Sequence, residues 1–321
     1  MVSDIFKNHI NTGSGNTRKE LISNEKTVGE QNIIIPSWSA FTAINWLAKR
    51  AASESNSKVC DYVFYQDLDG FHFRSISSMF NKDPMQTYIY GADNARDFIR
   101  DNPNSEINMQ ESFQNIRKLV ACGFDRSRET LKGTYSSSVL VHDIVTKSYD
   151  TIEYKYLDDF DKTPNLNGNP IMPKNNIYSD KINSKQYFVP SHLNLYGEPS
   201  ASEENSGNDS VETWLPRHDA QINQFMSSSI EIDVAGDTNR RVGDKVFAVI
   251  NSFESLDQQG RAKLDPLITG NYIVTKIKHT IHKTTGHTLK MKLCKDSNVE
   301  STSQNMSLDS NVLNNGSGNI L

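Results

Sequence analysis

The chain has 321 residues, 36% of them hydrophobic, with a mean hydropathy of −0.59; that is long enough for two or three domains but poor in core-forming side chains. Its 34 Lys and Arg are interspersed with 39 Asp and Glu for a net charge of −5, and the lack of clustered bases with interleaved aromatics excludes a nucleic-acid partner. No apolar run approaches the roughly 20 residues of a membrane span, and the start, MVSDIFKNHINTGSGN, lacks the regions of a signal peptide.

Cys60, Cys122 and Cys294 are widely spaced and odd in number, which fits a reduced setting better than a disulfide framework. The expected class is soluble and intracellular, with thin cores, long loops or obligatory partners.

Residues 1–32 are polar, with Gly13, Gly15 and several Asn and Ser, and read as a loosely ordered lead-in. Ile33 to Ile35 then form a short β-branched strand that Pro36 stops. Ser37 or Ser39 caps a helix over 40–52, whose stripe is Phe41, Ile44, Leu47, Ala48 and Ala51. Trp46 lies off that stripe and is expected to pack elsewhere.

In YVFYQDLDGFHFRSISSM, residues 62–79, alternation predicts a hairpin. Val63 and Tyr65 take one face and Phe64 the other, while Phe71, Phe73 and Ser75 alternate with His72, Arg74 and Ile76. Asp67 to Gly70 is the turn, where Asp-Gly readily takes positive φ. The aromatics are expected to pair across the strands, under the 40–52 helix.

ESFQNIRKLVAC, residues 111–122, reads as a short amphipathic helix through Phe113, Ile116, Leu119 and Val120. Strands follow at about 134–146 and 150–157. Residues 158–210 hold five of the ten prolines and read as a surface excursion or linker with short elements such as KQYFVP. From VETWLPRHDAQINQFMSS a helix is expected, with Ile222, Phe225 and Met226 towards a core. Beyond it Ile230, Ile232 and Val234 alternate in a strand, and Gly236-Asp237 and Gly243-Asp244 mark turns. A last hairpin sets Ile273, Thr275 and Ile277 opposite Leu289, Met291 and Leu293, and these strands together suggest a small antiparallel barrel or sandwich. After Lys295 the Ser/Asn-rich tail is expected to be disordered.

Several groups invite a chemical reading. Asp67, Asp69 and His72 suggest a metal or acid–base set, but Asp at a hairpin turn has its own backbone reason, and His72 alternates away from Phe71 and Phe73. His279, His282 and His287, with Cys294, are the most metal-like cluster. Positions 279 and 282 nevertheless fall on opposite faces of a strand, and the spacing matches no zinc signature. They read as solvated or interface histidines. The side chains of His142-Asp143 and of His218-Asp219 diverge, so neither is a dyad. There is no G-x-S-x-G, P-loop, H-E-x-x-H or Gly-rich dinucleotide turn. No catalytic, cofactor-binding or metal-binding residue is assigned, and a non-enzymatic protein is expected.

Two blocks carry a resemblance. IIIPSWSAFTAINWLAKRA, then DYVFYQDLDGFHFRSISSMF and TYIYG, resembles the middle of baseplate hub subunits from T-even-type contractile-tailed phages. IEIDVAGDTNRRVGDKVFAVI, then LITGNYIVTKIKHTI and TLKMKLCKD, resembles that family's second barrel and, more loosely, VgrG-type spike proteins of type VI secretion. The blocks cover roughly 33–91 and 212–296, in the family's order. The resemblance implies a homotrimeric ring in the virion tail baseplate, assembled in the host cytoplasm. Its partners would be the tail tube protein, the spike or tail lysozyme protein and other baseplate subunits. The family carries a full barrel before the helix–hairpin unit, which 32 residues cannot supply; either the chain begins late or its first domain is reduced.

The expected architecture is α+β. Residues 1–32 are the lead-in, a remnant of a first barrel; 33–110 a helix plus β-hairpin α/β domain; 111–210 a mixed α/β region with a loop-rich excursion. Residues 211–297 form an antiparallel β-barrel-like hub domain and 298–321 a disordered tail. The competing functional readings are a tail-associated cell-wall hydrolase and a monomeric binding module.

Overall fold

A computed structural model of the chain describes residues 1–11, 19–28, 34–90, 115–122, 125–144, 147–171, 185–190, 211–252, 264–284 and 286–299. The N-terminal segment is more ordered than its polar composition predicts. Helix α1 (Val2–Ile5) runs on as a π-helical turn, Phe6–Ile10, and strand β1 (Leu21–Asn24) joins a sheet. Next come α2 (Ala40–Arg50), β2 (Tyr62–Gln66) and β3 (Phe71–Ser75), and the sheet order is β1-β3-β2. The strand expected at 33–35 is not formed: Ile33 lies outside the described residues, and Ile34, 94% exposed, has no ladder to join.

Ser39 begins α2 by accepting the Thr42 N–H on its hydroxyl at 3.2 Å, satisfying one of the orphan donors of the first turn. The buried face of α2 is Ala43, Ile44, Leu47 and Ala48. Phe41 is half exposed at the margin of the stripe, where its ring lies 5.9 Å from Phe64. Trp46, off the stripe, meets Trp38 at 5.6 Å and lies under the Arg50 guanidinium.

Beneath α2 the hairpin presents Tyr62, Phe64 and Phe73, which pack with Ile44, Ala48 and Ala51. Val63 and Tyr65 point to the opposite face, as the alternation predicts. Phe6, 2% exposed, reaches Phe71 edge-on at 5.2 Å. Phe6 therefore joins Val2, Ile5 and Ile10 in anchoring the polar lead-in to this core. The turn differs from expectation: Gly70 is not at positive φ. The Asp67 carboxylate accepts from the Asp69 and Gly70 N–H groups, and a Cβ on Gly70 would meet the Glu20 carbonyl at 2.6 Å. Gly70 is there because β1 passes so close.

Further along lie α3 (Ser77–Phe80), β4 (Thr87–Tyr90), β5 (Lys118–Cys122), α4 (Arg126–Leu131), β6 (Ser136–Asp143) and β7 (Ser148–Lys155). Then follow α5 (Tyr156–Phe160), β8 (Asn169–Pro170), β9 (Lys185–Pro190) and α6 (Val211–Ser227). Strands β10 (Ser228–Ala235), β11 (Lys245–Ile250), β12 (Gly270–His282), β13 (Gly286–Lys295) and β14 (Ser297–Asn298) complete the set.

The fold is α+β and rich in sheet. Its main sheet has six strands in the order β4-β11-β12-β13-β10-β5 and curls into a half-barrel. A bridge between Ile89 and Asn115 links its two ends. The sheet is not wholly antiparallel, because β4 runs parallel to β11. Ile230, Ile232, Val234, Val246, Val274 and Met291 fill the concave side, with Tyr88 and Tyr272.

Three expectations change here. KLVAC is a strand, not the end of a helix, because it pairs with β10 along the sheet edge; residues 111–114 lie outside the described residues. The β12 register shifts between Val274 and Lys276, so Val274, not Ile273, opposes Leu293. That bulge sends Ile273 to the other face. Met226, expected inside, is 53% exposed, whereas Phe225 is 5% exposed, because the buried side of α6 runs through Gln224 and Phe225.

A third sheet, β7-β6-β9, stands beside α6. KQYFVP is its parallel edge strand β9, while most of the rest of the 158–210 excursion lies outside the described residues. The start of the expected tail is ordered, since Ser297–Asn298 pairs with β8. Among the described residues no helix is long and apolar enough to cross a membrane.

Candidate functional site

The residues singled out in sequence fall into separate places. On the hairpin, Asp67 and His72 do meet: His72 Nε2 lies 3.0 Å from Asp67 Oδ2. Sequence reasoning missed the third member, Ser23, whose hydroxyl is 3.1 Å from His72 Nδ1. A register shift after Leu21 sets Ser23 opposite His72, and the Tyr65 ring stacks on the imidazole at 5.0 Å. Burial raises the Asp67 pKa, but the Gly70 N–H and His72 outweigh it and leave the carboxyl below its ordinary value.

The His72–Asp67 contact has ion-pair distance without hydrogen-bond alignment, so the serine–imidazole–carboxylate row lacks the aligned relay of a catalytic triad. Acyl transfer also needs a substrate cavity and oxyanion donors, and the cavities at Asn167 and at Asp61 are lined by none of the three residues. The row's evident work is to fasten β1 to β3. Asp69 points elsewhere, to an ion pair with Arg241 at 2.8 Å that ties the hairpin to the half-barrel. Gly243 serves the same junction: it turns at φ +90°, and a Cβ there would meet the Tyr65 hydroxyl at 2.9 Å.

His279 and His287 stack on the outer sheet surface, Nδ1 to Nε2 3.1 Å apart, while His282 faces the other way and meets Thr284. Among the described residues no three of His, Cys, Asp or Glu gather to hold a metal. His142 stacks between Tyr149 and Phe188, at 4.3 and 6.2 Å. Asp219 accepts from Tyr187 at 2.5 Å and Lys185 at 3.0 Å, so it and His218 diverge as expected. Cys60 and Cys294 are buried and Cys122 is exposed; burial pushes the Cys60 thiol up to about 12.

His218 is buried, its Nδ1 2.6 Å from the Cys60 carbonyl. Burial lowers its pKa, helped by Lys49, while the Cys60 contact and Asp219 act the other way. The unfolded chain therefore takes up this proton first. Stability from this group is full above about pH 6.5 and falls as pH drops towards the depressed folded value. His218→Gln is expected to flatten the fall in urea midpoint between about pH 7 and 5; an unchanged slope would mean other groups control it.

At the centre of the molecule lies an assembly that sequence reasoning missed. Ile76, Met79 and Phe80 from the hairpin unit share an apolar cluster with Leu166, Phe225, Ile273 and Cys294. Beside it Asp61, Gln224 and Asp296 line one small cavity. The only sequence signal was an acid next to an apolar strand, at CDYVF and at KLCKD.

No family model and no curated protein matches the chain. Among solved structures it is similar to the tail protein from Neisseria meningitidis MC58, with 10% identity and a TM-score of 0.42 over 86% of this chain and 61% of that one. It is also similar to the 43 kDa tail protein of prophage MuSo2 from Shewanella oneidensis, with 9% identity and a TM-score of 0.43 over 87% and 62%. The chain thus spans about three fifths of the length of either. At these scores the likeness assigns neither fold nor function.

Proposed function

We propose that the chain is a structural subunit of a phage tail baseplate hub, which with its copies forms a ring joining the tail tube to the cell-puncturing spike. The observation that carries this reading is that the two hub-like sequence blocks fold as one body. Strand β4 of the first block pairs with β11 of the second, Asp69 pairs with Arg241, and Phe80 packs on Phe225 at 6.2 Å. Their joining is what a hub subunit requires, since the ring must transmit load between tube and spike.

The reading asks for no chemistry of its own, and the chain would work through surfaces in the virion. Tyr149 and Phe188, 65% and 60% exposed on the β7-β6-β9 sheet, suit contact with neighbouring subunits. The resemblance implies three copies, and closed cyclic symmetry is how identical subunits make a ring. A cell-wall hydrolase would instead need two carboxylates across an open cleft. The two that share a cavity here, Asp61 and Asp296, are 3% and 6% exposed.

Light scattering across a concentration series tests the proposal. The expected solution mass is three times the 36.2 kDa of the chain. A monomer at every concentration, or muralytic activity lost on substituting a carboxylate, would overturn it.

A further inference from the structure

Where the hairpin unit, α5, α6 and the end of β13 meet, the small cavity lined by Asp61, Tyr156, Gln224 and Asp296 has a volume of about 20 Å³. That is room for one ion or one water. Asp61 is 3% exposed, and its Oδ2 accepts the N–H and O–H of Ser77 at 2.8 and 2.7 Å. Its Oδ1 has no hydrogen-bond partner among the described residues.

Gln224 comes from a different element and is 2% exposed. Its Nε2 donates to the Asp296 carbonyl at 2.7 Å and to the Tyr156 hydroxyl, which leaves Oε1 likewise without a partner. The Asp296 carboxylate accepts from the Leu166 N–H at 3.2 Å and the Ser297 hydroxyl at 2.7 Å. Glu25 presses on Asp61 and Asp61 on Asp296, while the buried Lys295 next to Asp296 offsets part of that acid's charge. Burial pushes both carboxyls up to about 6.

Asp61 and Gln224, each with an unused oxygen, therefore line a cavity with two buried carboxylates whose charge Lys295 offsets only in part, an arrangement that is costly unless something positive enters. We propose that this cavity binds one small divalent cation of the calcium type, held by the Asp61 and Asp296 carboxylates and the side-chain carbonyl of Gln224. An all-oxygen donor set that includes two carboxylates selects a hard cation. Calcium accepts an irregular set of protein oxygens, whereas magnesium demands a near-ideal octahedron and keeps several of its waters. Asp61 precedes β2 and Asp296 follows β13, so the ion staples the two hub-like blocks together.

The test uses the full chain, stripped with a chelator and returned to choline chloride at pH 7.5. Heat-unfolding midpoints are read against added Ca²⁺, Mg²⁺ or Na⁺, with calorimetric titration of Ca²⁺ for stoichiometry. The expected result is a midpoint that climbs with Ca²⁺ concentration, as a ligand that binds only the native state requires, with one ion per chain and little response to Mg²⁺. Asp61→Asn should abolish the climb and, without calcium, unfold later than the parent. Gln224→Met, which removes one oxygen and no charge, should weaken it. No calcium response in the parent would overturn the proposal and leave a water between protonated acids. A response that survives in both Asp61→Asn and Asp296→Asn would place the ion elsewhere and overturn it too, as would a response to Na⁺ with none to Ca²⁺.

Discussion

Phe80→Ala is expected to destabilise the chain by about 3–5 kcal/mol, the range for truncating a buried phenylalanine, and to part the hairpin unit from the half-barrel before either unfolds. Phe80 is 5% exposed at the point where α3 meets α6, and its carbonyl accepts from Lys245 Nζ at 2.9 Å. Removing the ring takes the central contact from the cluster of Met79, Phe225, Ile273 and Cys294, while the cores above and below keep their side chains. Amide hydrogen exchange along the urea series reads both sides, through the strands of the hairpin unit and those of the half-barrel. One transition is expected in the parent and two in the variant. Leu68→Ala, at a position 70% exposed in the hairpin turn, is the control and should shift the midpoint by no more than about 0.5 kcal/mol. An unchanged Phe80→Ala midpoint would remove the argument that the two blocks act as one body.

What could be read in sequence was what is decided locally. Helix α2 was legible because its cap, Ser39, and its stripe lie within three turns, and the 62–79 hairpin because alternation and an Asp turn sit side by side. What was not legible depends on partners remote in the chain. Leu119 and Val120 look helical alone, but β10 offers them a free edge, and pairing overrides propensity. The β12 bulge after Val274 appears only once β13 fixes the register. Phe6 could not be seen to order the lead-in, since its partner Phe71 lies on the far hairpin strand.

The same holds for chemistry. Asp67, Asp69 and His72 were weighed as one group, of which Asp67 and His72 do touch, yet Ser23 enters only through a parallel strand pairing. Asp61, Gln224 and Asp296 are single polar residues from three distant stretches of the chain, and only packing gathers them around one cavity. A reading based on spacing finds sites contained in one segment, such as the 279–287 histidines, and passes over those assembled across a seam.

Ile232→Ala is expected to cost about 2–5 kcal/mol. Ile232 is fully buried at the middle of β10, with Met291 opposite it on β13 and Leu119 on β5. The surrounding strands are held by their ladders and cannot close in on the lost volume, so the cavity should persist and the cost sit high in that range. The neighbouring strand provides a sharper comparison. On a helix over 111–122 Leu119 and Val120 would share an apolar face, and truncating either would be costly. On β5 they point to opposite sides: Leu119 packs against the half-barrel core, and Val120 is 41% exposed. Leu119→Ala should therefore lower the urea midpoint clearly, while Val120→Ala should move stability by only about 0.5 kcal/mol. Equal losses at the two positions would restore the helix and take β5 away from the sheet, and with it the bridge from Ile89 to Asn115 that brings the two ends of the half-barrel together.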